Sequence, residues 1–164
     1  MTRSSQPRAG RLREVPGTNW IECVYLTCFR SEFSVLAIIL HYSAIRMHRA
    51  ETLEEADFLL TVTGGTVLLS DVMFLDGSWQ DALPMVGKLH PFVASLIVAD
   101  RADGLSAGDA YARGACGALL KPVDSSRAIQ MIRTLHEAAR DRVSVLRDDS
   151  LDTAWLGPTS AHCR

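Results

Sequence analysis

Apolar residues fall along the chain in short unbroken runs that alternate with longer stretches where they recur every three or four positions. The clearest run is Gly65-Thr66-Val67-Leu68-Leu69-Ser70-Asp71. Gly64-Gly65 breaks the chain before it, and the run is too short for a helix of normal length. It therefore reads as a strand buried on both faces of a sheet and ending on a carboxylate. Asp71 would stand at that strand's carboxyl end, as either a turn or helix-capping residue or a functional acid. Trp20 to Cys28, residues 44–49, Phe92 to Val98 and Gly117 to Leu120 read as four further strands.

Helices fit between them. Residues 31–42 can be capped by Ser31, and Phe33, Val35, Leu36, Ile38, Ile39 and Leu40 make the segment apolar around most of its girth. A helix of that kind is expected to be mostly buried or to pack on a partner. Thr52-x-x-Glu55 is a capping box opening a helix whose apolar face is Leu53, Ala56, Leu59 and Leu60. A helix over about 78–89 contains Pro84, which puts its expected start late, near Asp81. Val72 to Gly77 before it reads as a loop, apolar for its position. A short helix covers about 105–113. Asp124 caps a last one from about 125 to 142, with Ile129, Ile132 and Leu135 on one face.

Strand and helix alternate five times with short links. That pattern means parallel strands, right-handed crossovers and helices on both faces. The expected fold is α/β: a flavodoxin-like, doubly wound (βα)5 three-layer sandwich with parallel sheet order 2-1-3-4-5. Residues 19–146 form this domain, between a disordered, Arg-containing tail over 1–18 and a flexible tail over 147–164. Strands one, three, four and five then bring Thr27, Cys28, Asp71, Ala99 and Lys121 to one crevice. A lone carboxylate beside an ammonium is chemically sensible, since the cation can pair with the acid or with an anion attached to it.

Composition narrows the field. At 48% hydrophobic residues in 164, the middle of the chain can build its own core. A net charge of -2 gives no pull toward nucleic acid or an anionic membrane, and no apolar run is long enough to cross a bilayer. The four cysteines form no C-x-x-C pair and the five histidines are scattered, so reduced thiols in a cytoplasmic protein are expected rather than a zinc site. No apolar signal core precedes the first strand.

Taken together, Leu68-Leu69-Ser70-Asp71 followed by Asp76-Gly77, Gly114-Ala115 leading to Lys121-Pro122, and Asp71 fifty positions before Lys121 resemble a response-regulator receiver domain of two-component signalling. The match spans roughly 20–142. The resemblance implies a non-enzymatic signalling module in a phosphorelay, with a sensor histidine kinase or another signalling protein as partner. It implies Asp71 as candidate phosphoacceptor and possible Mg²⁺ ligand, and Lys121 as the phosphoryl contact, with a cis peptide before Pro122. It also implies a possible homodimer through the helix 4–strand 5–helix 5 face, here Tyr111, Ala118, Arg127 and Met131.

The departures from the family are concentrated at the site. The acidic pair that helps hold Mg²⁺ falls at Thr27 and Cys28. The strand-four hydroxyl falls at Ala99, and the aromatic switch position at Ala118. Mg²⁺ favours octahedral oxygen ligands, usually including carboxylates, so Asp71 alone predicts a weak or absent Mg²⁺ site. Glu32 and Asp100 are nearby acids in sequence that could compensate. The expectation is an atypical receiver acting through protein contacts, without direct binding of nucleic acid or membrane. The alternative is a flavodoxin-like cofactor binder or small enzyme on the same sheet, but Thr27-Cys28-Phe29-Arg30-Ser31 lacks the glycine such a phosphate loop favours.

Overall fold

The computed structural model describes residues 19–153, with side chains to Val145. The expected tail over 1–18 lies outside the described residues. Five parallel strands, β1 (Ile21–Leu26), β2 (Ile45–Ala50), β3 (Val67–Asp71), β6 (Ala94–Ala99) and β7 (Gly117–Leu120), form one sheet in the order β2-β1-β3-β6-β7. Counted among the parallel strands alone, this is the 2-1-3-4-5 order of the doubly wound flavodoxin-like fold. Between β3 and β6, β4 (Met73–Phe74) and β5 (Gly77–Ser78) pair antiparallel where a loop was expected. The helices are α1 (Arg30–His41), α2 (Leu53–Thr63), α3 (Trp79–Leu89), α4 (Ala107–Ala112) and α5 (Ser125–Thr153).

The side-chain period of a strand splits the core into layers. Cys23, Tyr25, Val67, Leu69 and Leu119 face one way and pack with Leu36 and Leu40 of α1 and Ala128 and Ile132 of α5. Val24, Leu26 and Leu68 face the other way, against Ala56 and Leu60 of α2 and Ala82 and Val86 of α3. Ile97 continues that second layer against Trp79, Leu83 and Ala110. No helix among the described residues is long and apolar enough to cross a membrane.

Three helices also differ from the sequence expectation. First, α3 begins at Trp79, not near Asp81, with Pro84 inside it. Ser78 and Asp81 form a reciprocal capping box, which anchors the first turn ahead of the proline. Gly77 is required there by space: a Cβ would lie 2.8 Å from Asp81 Oδ2 and 3.2 Å from the Phe74 ring. Secondly, α5 continues past 142 to Thr153, into the expected flexible tail. No Gly or Pro, the residues least tolerated in a helix, intervenes between Asp124 and that end. Thirdly, α1 is not mostly buried. Leu36 and Leu40 are, but Val35, Ile38 and Ile39 face outward.

Candidate functional site

The strand period that builds the core also builds the site. Tyr25 and Thr27 continue the face of Cys23, Asp71 that of Leu69, and Lys121 that of Leu119. All four therefore emerge toward the α1/α5 layer at the carboxyl ends of β1, β3 and β7, with β6 between the last two. Their side chains converge on the Asp71 carboxylate, which is almost fully buried. The Tyr25 hydroxyl donates to Asp71 Oδ1 at 2.9 Å. The Thr27 hydroxyl donates to Asp71 Oδ2 and accepts from the Phe29 amide N–H at 3.1 Å. Lys121 Nζ lies 3.2 Å from Asp71 Oδ1 and 2.7 Å from Glu32 Oε2. The ammonium also sits 4.9 Å from the centre of the Phe29 ring.

Tyr25 and Lys121 are each held in one charge state by their neighbours. Burial, together with the Asp71 carboxylate, pushes the Tyr25 phenol far up, so it remains a neutral donor. Burial opposes charge on Lys121, but hydrogen bonds and attraction from Glu32 and Asp71 more than offset it, and its pKa is raised. No buried polar side-chain atom among the described residues lacks a hydrogen-bond partner. Both Asp71 oxygens thus have protein donors, and the charge that a cation would neutralise is already met by Lys121.

The other expected positions are placed differently. Cys28 is exposed and a free thiol. Ala99 is buried at the end of β6, on the parity of Ile97 and hence toward α3 and α4. Ala118 is half-buried on β7, with Tyr111 and Arg127 exposed to either side and Met131 half-buried. Glu32 reaches the site, but as the second partner of Lys121. Asp100 lines the groove beside it, with its carboxylate capping the one-turn helix Arg101–Asp103. Among the described residues no three His, Cys, Asp or Glu side chains are grouped to hold a metal ion. The peptide between Lys121 and Pro122 is cis. Asp76, of the Asp-Gly pair, serves another element: its carboxylate accepts the Leu53 amide at 3.2 Å, at the start of α2.

Sequence reasoning passed over Tyr25, which looked like one more apolar residue of a strand. Its position two residues before Thr27 was the available signal, since both must share a face and a buried tyrosine hydroxyl needs a partner.

No protein-family model and no curated protein sequence matches the chain. Many solved structures do. A response regulator receiver domain protein from Clostridium thermocellum superposes with a TM-score of 0.63 at 20% identity, over 77% of this chain and 98% of the other. The signal receiver domain of an HD domain-containing protein from Pseudomonas fluorescens gives 0.65 at 16% identity, over 74% and 98%. A response regulator receiver protein from Pseudomonas putida gives 0.62 at 19% identity, over 70% and 97%. The architecture is thus doubly wound and flavodoxin-like. Within that class, the chain has the receiver-domain fold.

Proposed function

We propose that this chain is an atypical receiver module of a two-component phosphorelay, one that signals through protein contacts and does not depend on Mg²⁺-assisted phosphorylation of Asp71. One observation carries this reading: the Asp71 carboxylate is enclosed by Tyr25, Thr27 and Lys121, and Glu32, the acid that reaches the site, is paired with Lys121. Phosphoryl transfer relies on neutralising charge at the phosphoryl oxygens while holding the reacting atoms in line. Thr27 and Cys28 offer no hard anionic ligand for Mg²⁺, and Ala99 offers no hydrogen bond to a phosphoryl oxygen. Asp71 would have to release its hydroxyl donors before acting as a nucleophile. The residues present therefore do not fit the ion. The expected partner is a sensor histidine kinase or another signalling protein, in the cytoplasm.

The test is incubation with acetyl phosphate, with and without Mg²⁺, read by intact mass beside an ordinary receiver. The expected result is little or no phosphoryl adduct and no response to Mg²⁺. Stoichiometric labelling that disappears in Asp71→Asn would overturn the reading.

A further inference from the structure

The first turn of α1 places a second carboxylate on Lys121. Counted from the N-cap, Phe29, Glu32 is the third residue of the helix. An acid there commonly turns back to the N-cap amide. The Phe29 amide, however, already donates to Thr27 Oγ1 at 3.1 Å. Glu32 is thereby released to reach across to the end of β7, where its Oε2 lies 2.7 Å from Lys121 Nζ. Asp100, the other acid on this side, is turned to its own one-turn helix.

An ammonium has three N–H donors. At Lys121 the chain meets them itself: Glu32 on the outer side, Asp71 Oδ1 at 3.2 Å on the inner side, and the Phe29 ring centre at 4.9 Å. The two carboxylates are not held alike. Asp71 has 3% of its side chain exposed and Glu32 has 47%. Taking the ammonium from Asp71 would leave a buried charge unpaired, whereas Glu32 can exchange its partner for water. Glu32 and Lys121 both line a groove of about 500 Å³, beside Ser31, Pro122 and Val123, through which another group can reach the ammonium. Asp71 already tolerates one carboxylate at this spot, so a newcomer of the same charge meets no added repulsion.

We infer that the outer side of Lys121 is a site for a small monocarboxylate, which the chain fills with its own Glu32: an autoinhibitory contact that a ligand carboxylate has to displace. A single negative charge suits it, because Lys121 already balances Asp71. The inference rests on Lys121 and Glu32 alone and holds whether or not Asp71 accepts a phosphoryl group.

Lys121 and the exposed Lys88 of α3 are the chain's two lysines. Acetylation by a water-soluble active ester, read by peptide mass, therefore reports on Lys121 against an internal standard. The full-length chain, Glu32→Ala and Glu32→Gln are compared in sodium formate and in sodium chloride of equal ionic strength, with a thermal melt of each to establish folding. In chloride, both variants should label Lys121 at least about threefold faster relative to Lys88, as loss of a partly exposed ion pair implies. In Glu32→Ala, formate should slow Lys121 saturably toward the wild-type rate, and it should leave the wild type unchanged. Three results overturn the inference: no faster labelling of Lys121 in either folded variant, formate and chloride acting alike on Glu32→Ala, or formate slowing Lys121 in the wild type.

Discussion

Replacing Asp71 by Asn separates this site from an ordinary acidic receiver pocket by the sign of its effect on stability. Where several carboxylates crowd one pocket, neutralising one relieves repulsion, and stability is unchanged or rises. Here Asp71 faces two hydroxyl donors and an ammonium, and the nearby Glu32 is paired with that same ammonium. The asparagine oxygen can still accept from one donor, but its amide hydrogens must then face the other hydroxyl or Lys121. A hydrogen bond to a buried charge contributes about 1.5–3 kcal/mol, and an unsatisfied buried donor costs about 1–3 kcal/mol. Glu32 keeps its hold on Lys121 in the variant, so the ion pair is only partly lost. The net cost should be about 2–4 kcal/mol. At about 2–4 °C per kcal/mol for a domain of this size, the Tm should fall by roughly 5–15 °C. Circular dichroism melts and urea titrations of the two proteins at neutral pH measure it. An unchanged or higher Tm in Asp71→Asn would show that the carboxylate is not held as described.

Further outcomes follow from the same geometry. Tyr25→Phe removes one donor to Asp71 without opening a cavity and should cost about 1–2 kcal/mol in urea unfolding; combined with Asp71→Asn, the loss should be smaller than the sum. Gly77→Ala pushes a methyl group onto the Asp81 carboxylate, so it should break the capping box that starts α3 and cost about 1 kcal/mol. His136 approaches Thr66 Oγ1 at 2.7 Å, and burial and then Arg140 lower its pKa. A histidine depressed in the folded state contributes stability that is full above its unfolded value of about 6.5 and is lost as pH falls through the folded value. The melting temperature should therefore drop as pH falls below about 6.5, and His136→Gln should flatten that drop; an identical profile in the variant counts against a neutral, half-buried imidazole.

Much of this arrangement was legible in the sequence because it follows from two periods. Short apolar runs alternating with amphipathic stretches specify the doubly wound sheet, and that sheet puts Asp71 and Lys121 at carboxyl ends separated by one strand, β6. The partners of Asp71 were harder to see. Tyr25 looks apolar inside an apolar strand, and only strand parity shows that its hydroxyl shares a face with Thr27. Glu32 was legible as a nearby acid, but which cation it would meet depends on how the first turn of α1 sits over β7. The limits of α3 and α5 were missed for local reasons. Pro84 argued for a late start, and the capping box before it prevailed. Polar composition from about residue 147 looked like a loose end, although nothing up to Thr153 forbids helix. In α1, an all-round apolar sequence does not say which side meets the core and which faces outward.

The length of α5 bears on what the domain can transmit. At 1.5 Å per residue its 29 residues extend about 44 Å, whereas a six-residue strand spans about 20 Å. Ala139 is the last of its described side chains to be buried, and from Arg140 to Val145 they are exposed or half-buried. A pivot of about ten degrees where it leaves the sheet would swing a tip roughly 20 Å away by some 3–4 Å. Small repacking around Ala128 and Ile132 is thereby magnified into a displacement that a bound protein could register.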